Sequence, residues 1–130
     1  LVCLDTDILV SLLRGDKAAE RVIEEIEKEE RTLRTTAITT YELLKGASIS
    51  SKPEQNTLTV KNLLSNMRTY PLNDYACEEA SRIYQTLQMT GTMIGEFDIL
   101  IAGIVVYNND TLVSRDEHFQ LVKNLDLKTW

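Results

Sequence analysis

The chain is short of several residues on which common chemistries depend. Its 130 residues include two cysteines, one histidine, two prolines, one tryptophan and only 6% aromatics. Cys3 and Cys77 are too few for a disulfide framework or a zinc knuckle. Cys3 lies in an apolar run and Cys77 in a helical pattern, so both read as buried thiols, which suits a reducing cytoplasm. A single histidine, His118, excludes a two-histidine metal site and a coupled histidine pair. No nucleophile elbow accompanies it, so it reads as a helix-surface residue. Apolar runs such as 99–107 stop at core-helix length, too short to span a bilayer, and no secretory h-region is evident. Positive charge is also scarce: 14 Lys and Arg stand against 20 Asp and Glu, a net charge of −6. That excludes a general nucleic-acid coat, which would be basic. It leaves open an enzyme that reaches phosphates through bound divalent cations.

What is present suits one domain. With 43% hydrophobic residues, a chain of this length buries about two thirds of its unfolded surface. Leu1 to Leu4 reads as a central parallel strand, apolar without alternation. Residues 6 to 13 follow as a short helix stopped at Arg14-Gly15. Asp16 then caps an amphipathic helix with Ala19, Val22, Ile23 and Ile26 on one face. Thr32 to Ile38 is a β-branched strand and Thr39 to Ala47 a helix. Pro53 opens the next helix, with Leu58, Leu63, Leu64 and Met67 inward. Thr69 to Leu72 is a third strand. Asn73 or Asp74 caps a helix presenting Ala80, Ile83, Tyr84 and Leu87, ended by Gly91. The most apolar helix runs from Glu96 to Tyr107. Thr111 to Ser114 is a fourth strand, Asp116 opens another helix, and the final LDLKTW holds a short strand. Strands alternating with helices predict a three-layer α/β/α fold around a mostly parallel sheet of four to five strands.

Four acids occupy equivalent places in this pattern: Asp5, Glu42, Asp98 and Asp116 each stand where a strand gives way to a helix or where a helix begins. Capping explains each one singly. Thr39-x-x-Glu42 is a capping box, Asp116 is placed as an N-cap, Asp98 suits the positive end of its helix, and Asp5 precedes a helix. In a parallel sheet, however, all of these helix starts face one rim, where open α/β folds bind ligands. Two unit charges about 4 Å apart repel by roughly 4 kcal/mol at an effective dielectric near 20. Ser, Thr or Asn would cap without that repulsion, so the set points to a divalent cation. All-oxygen donors suit Mg²⁺ or Mn²⁺ rather than zinc.

LVCLDTDIL, TTYELLKGA, IGEFDILIAG and LVSRDEHF, in this order and spacing, resemble a PIN domain, most closely the VapC ribonuclease toxins of toxin–antitoxin pairs. The resemblance extends over nearly the whole chain. It implies a Mg²⁺- or Mn²⁺-dependent ribonuclease whose metal-binding acids fall on Asp5, Glu42, Asp98 and Asp116. It also implies an RNA substrate such as tRNA or rRNA, a VapB-type antitoxin that occludes the acidic site, and a homodimer. The family often has Asn where this chain has Asp7, and Glu96 is an additional, peripheral acid. Thr6 and Ser114 are expected to hold waters or a substrate phosphate. Arg14, Lys17, Lys45 and Arg115 are placed to guide an RNA backbone, although ordinary surface charge accounts for each. Loops 48–56 and 90–96 would shape specificity.

Three other readings compete. Asp5-Thr-Asp7 also resembles the first motif of haloacid-dehalogenase-type phosphatases, but Leu9 stands where that motif needs Thr or Val. A receiver-type phospho-acceptor module would share the size, acidity and rim aspartates, but no lysine ends a fifth strand convincingly. A non-cleaving PIN-like domain that binds RNA or protein would not need all four acids.

Overall fold

β1 (Val2–Leu4) pairs in parallel with β4 (Thr111–Val113), and β4 with β5 (Asp126–Lys128); β2 (Leu33–Thr36) pairs in parallel with β3 (Met67–Tyr70). These are the strands of a computed structural model that describes residues 1–30 and 32–130. The ladders form one three-stranded and one two-stranded sheet rather than a single continuous one. At the seam, side chains do the joining: Thr35 Oγ1 donates to the Leu4 carbonyl at 2.8 Å, and the Val2 N–H donates to Glu30 Oε2 at 3.2 Å.

Helices cover both faces. Successive residues on β1 and β4 point to opposite sides, as strand geometry requires. Cys3 and Leu112 enter one apolar cluster with α5 (Asp74–Thr90) and α6 (Glu96–Tyr107). Leu4 and Val113 enter the other, with α1 (Thr6–Leu13), α2 (Lys17–Glu30), α3 (Ala37–Ser48) and α4 (Pro53–Ser65). This is the expected three-layer α/β/α arrangement. No helix among the described residues is long and apolar enough to cross a membrane.

The helices α1, α2, α5 and α6 run as the sequence pattern indicates. Asp16 Oδ1 accepts from the N–H groups of Ala18 and Ala19, Asn73 caps α5, and Gly91 ends it in the left-handed region at φ 68°. Other expectations are corrected. β2 ends at Thr36, and α3 starts at once, with Thr36 Oγ1 accepting from the Thr39 N–H at 3.1 Å. Thr36, not a Thr39–Glu42 box, is therefore the cap. Leu63, Leu64 and Met67 pack inward as expected, beside the buried Val60 of α4, while Leu58 is 60% exposed. Two helical steps turn a side chain by about 200°, so Leu58 and Val60 cannot share a face. Cys77 and Tyr84 are each one step past a buried neighbour, Ala76 and Ile83, and are exposed. The segment after Asp116 is a short 3-10 helix, Glu117–Leu121.

α5 and α6 pack closely because α6 carries Gly103. A Cβ there would stand 2.7 Å from Ala80 Cβ and 2.8 Å from both the Ala76 carbonyl oxygen and the Ala80 nitrogen. Two of those atoms are backbone and cannot yield without moving α5. Gly46 on α3, by contrast, faces open space. Gly103→Ala is therefore expected to destabilise by about 1–3 kcal/mol of overpacking, more than the roughly 1 kcal/mol of helix propensity it gains. Gly46→Ala should stabilise by up to about 1 kcal/mol. Denaturant midpoints of both variants check this pair, and a stabilised Gly103→Ala would contradict the close approach.

Candidate active site

The acids gather at the rim where β1 and β4 end. Asp5 leaves β1 and is 5% exposed; its main-chain N–H donates to the Val113 carbonyl at 3.1 Å, extending the β1–β4 ladder by one bond. Asp116 stands three residues past β4. Glu42 lies in the second turn of α3, and Asp98 in the first turn of α6. Ligand atoms of Asp98, Asp116 and His118 all lie within 4.8 Å of one another. Asp5 and Glu42 stand outside that trio. They are tied to it through their charges: Asp116 and Glu42 both push the Asp98 carboxyl upward, and Asp98 does the same to Asp5.

Hydroxyl groups hold the outer two acids. Ser114 Oγ donates to Asp5 Oδ2 at 2.7 Å, while its oxygen accepts from the Asp116 N–H at 3.0 Å. One residue thus links the acid that ends β1 to the acid that follows β4. Thr6 Oγ1 stands 2.8 Å from Glu42 Oε1 and 3.0 Å from Thr39 Oγ1. A hydroxyl has one proton to give, and the ionised carboxylate can only accept. Thr6 and Ser114 therefore give their hydroxyl protons to carboxylates and orient them. Asp7 takes a structural role beside them. Its Oδ2 accepts from the Arg115 N–H at 2.6 Å, with Ser114 Oγ at 3.2 Å, and its Oδ1 accepts from Trp130 Nε1 at 3.2 Å. The Arg115 guanidinium lies 3.5 Å from the Trp130 ring centroid, and its Nε donates to the Trp130 carbonyl at 2.7 Å. Together these contacts pin the loop that carries Asp116.

Capping and clustering coexist only in part. Asp116 Oδ1 accepts from the His118 N–H at 2.9 Å, so this acid caps its short helix. Asp5 precedes α1 but caps nothing with its side chain. The Asp5 carboxyl is pushed from an ordinary value of 3.8 up to about 7, chiefly by burial, with Asp7 and Asp98 adding to the rise and hydrogen bonds from Ser114 and the Thr6 main chain opposing it. Asp98 is raised chiefly by loss of solvent, then by Asp116 and Glu42, with His118 opposing. Among the described residues, no protein donor reaches the Asp98 carboxylate. A half-buried carboxylate surrounded by like charge and lacking a donor is a place that a cation would stabilise. The all-oxygen donor set on Asp5, Glu42, Asp98 and Asp116 fits a hard divalent cation.

The sequence pattern makes His118 a surface residue. It is exposed, but the turn after Asp116 brings its Nδ1 to 3.2 Å from Asp116 Oδ1. The Asp-x-His spacing at a tight turn was the only local signal for it. Glu96 is exposed and stays peripheral. Of the four cations expected near the rim, Arg14 and Glu42 share an open groove of about 400 Å³ between α1, α3 and α4, lined also by Val10, Leu13 and Val60. Lys17 pairs with Glu20 at 3.2 Å, away from this role.

The chain is similar to known proteins along nearly its whole length. Ribonuclease VapC2 of Rickettsia felis is 28% identical over 128 residues, covering 98% of this chain and 96% of that protein. Ribonuclease VapC1 of Haemophilus influenzae (strain R2866) is 28% identical over 130 residues, with the same coverage. The tRNA(fMet)-specific endonuclease VapC of Shigella flexneri is 25% identical over 133 residues. Among solved structures, VapBC2 from Rickettsia felis, bound to a DNA fragment from its promoter, superposes with a TM-score of 0.91 at 27% identity. That match covers 99% of this chain and 98% of that one. VapBC-1 from nontypeable Haemophilus influenzae superposes with a TM-score of 0.88 at 26% identity, covering 99% and 97%. The PIN domain family profile matches residues 2–125, nearly end to end, and the chain belongs to the PIN domain family.

Proposed function

We propose that this chain is an endoribonuclease toxin of the VapC kind, dependent on Mg²⁺ or Mn²⁺ and held in check by a VapB-type antitoxin. The observation that carries the reading is Asp98: half-buried, without a protein donor, and surrounded by Asp116, Glu42 and Asp5. The ribonuclease and endonuclease names of full-length relatives support the activity, and the VapBC complexes among the structural neighbours support the partner.

Asp98 and Asp116 would hold the cation, with Asp5 and Glu42 completing the site directly or through water. A divalent cation bound there supplies Lewis-acid polarisation of a phosphate and a lower pKa for water at neutral pH. The chain's own residues do the rest. Ser114 holds Asp5, and Thr6 holds Glu42, so neither carboxylate must be reoriented when substrate arrives. Asp7, Arg115 and Trp130 keep the Asp116 loop in place. His118, next to Asp116 and exposed, is positioned to exchange protons with water at the rim. Both tRNA and rRNA are candidate substrates, since a cation held at the cluster would engage a phosphodiester without regard to sequence.

Purified protein is expected to cleave tRNA or rRNA with Mg²⁺ or Mn²⁺ present and to stop when EDTA removes the metal. Asp98→Asn should reduce cleavage by about 100-fold or more, with the melting temperature unchanged or raised because a repelling charge is gone. Wild-type cleavage by Asp98→Asn would sink the assignment. Binding of RNA without cleavage under all metal conditions would instead favour a non-catalytic PIN-like domain.

Asp5 adds a pH signature. Its folded pKa of about 7 lies above the ordinary 3.8, so the folded state binds the proton more tightly than the unfolded state. The metal-free protein therefore loses stability as pH rises from about 4 to about 7 and loses no more from this group above that. Asp5→Asn removes the penalty. Its melting temperature should exceed that of the metal-free wild type by a margin that grows across this window, equivalent to roughly 4 kcal/mol at most. Mn²⁺ should narrow the margin. A margin independent of pH would exclude Asp5 as its source.

A further inference from the structure

Tyr41 and Phe97 are the residues immediately before Glu42 and Asp98. They lie on different helices, α3 and α6, yet their rings meet edge to face, with centroids 5.6 Å apart and planes at 84°. Neither ring joins the core: Tyr41 is 50% exposed and Phe97 39%. Lys45, one turn beyond Tyr41, places its Nζ 5.3 Å from both ring centroids, within cation–π range. Among the described residues Lys45 makes no ion pair with the nearby acids, in a chain where anions outnumber cations. Its ammonium group remains available beside the rim.

We propose that Tyr41 and Phe97 form a stacking platform for an unpaired RNA base, with Lys45 taking the adjoining phosphate, so that the next phosphodiester lies over Glu42 and Asp98. This rests on the ribonuclease reading of the rim and names the form of RNA it accepts. Every base has a π-face, and aromatic rings flanked by a cation are how proteins bind single strands without reading sequence. Bases inside an A-form helix are stacked on one another and cannot reach such a platform. The substrate segment is therefore a loop, bulge or end rather than a duplex. A protein surface is a poorer occupant, because the platform is bordered by Glu42, Glu96 and Asp98, and protein interface cores are depleted of charge. A cation at the acids makes the same border favourable to phosphates.

The test uses Tyr41→Leu, Phe97→Leu and Tyr41→Trp in the full chain. With Mg²⁺ or Mn²⁺, both leucine variants should raise the KM for RNA cleavage by about tenfold with little change in kcat, and Tyr41→Trp should restore the wild-type KM. With Ca²⁺ instead, affinity for a short single-stranded oligoribonucleotide, read by fluorescence anisotropy, should fall by the same factor. An abasic oligomer of equal length should bind all four proteins alike. Unchanged KM and affinity in the leucine variants would overturn the platform, as would an equal loss on the abasic oligomer. Sedimentation gives a separate arm: a changed oligomeric mass with unchanged RNA affinity would make this face a protein contact and overturn the proposal. The two readings also fail separately. A wild type that cuts RNA while the variants behave like it defeats the platform alone. A wild type that cuts nothing, yet binds the oligomer in a Tyr41-dependent way, defeats the nuclease alone.

Discussion

Carboxylates of like charge repel, and this fold holds four of them at one rim. Ser114 is the residue through which it does so. Its proton goes to Asp5 and its oxygen receives the Asp116 N–H, so the end of β1 and the loop after β4 are locked to each other. The parallel β1–β4 ladder brings these segments side by side, and the Asp5 N–H adds one further bond to Val113. A single hydrogen bond to a charged group contributes about 1.5–3 kcal/mol, comparable with the repulsion it opposes. Burial first, and the neighbouring acids after it, hold Asp5 and Asp98 above the ordinary carboxylate range. A divalent cation would offset both effects, so an arrangement that costs stability by itself has the chemistry of a cation site.

The helices share this task. Helix starts in a parallel sheet fall on one rim, where capping requirements and ligand requirements meet. The chain divides them by residue. Thr36 and Asn73 cap with neutral oxygens and leave the rim uncharged at those points. Asp116 both caps and faces the cluster. Asp5 and Glu42 are freed from capping altogether, and hydroxyls from Ser114 and Thr6 position them. Among the described residues Asp98 alone of the four is left without a protein donor, and its acidic neighbours favour a positive charge beside it.

Net negative charge rules out broad attraction of RNA, so recognition has to be local. The features next to the acids are suited to that: an open groove reaching Glu42 between α1, α3 and α4, and an exposed aromatic pair with Lys45 on the residues preceding Glu42 and Asp98. Such a surface discriminates by the accessibility of a strand more than by its sequence.

Much of this could be read without coordinates. The apolar strand before Asp5, the amphipathic helices α2 and α5, the apolar α6 and the order of the four acids specify a parallel α/β fold, because period and composition are local properties. Short strands carry too few residues for a period to show, and this is why β2 and β3 were displaced by a residue or two and why the cap of α3 was misplaced. The outward turn of Leu58 on α4 and the exposure of Cys77 depend on helical phase, which is set by the partner surface. The roles of Thr6, Ser114 and Asp7 depend on partners up to 123 residues away, and those of His118, Tyr41 and Phe97 on which turn faces which helix. The sequence by itself determined which chemical groups stand at the starts of which elements. Only the tertiary structure decided which carboxylates meet, which hydroxyls restrain them and which rings stay open beside them, because those outcomes depend on packing between segments that no local pattern connects.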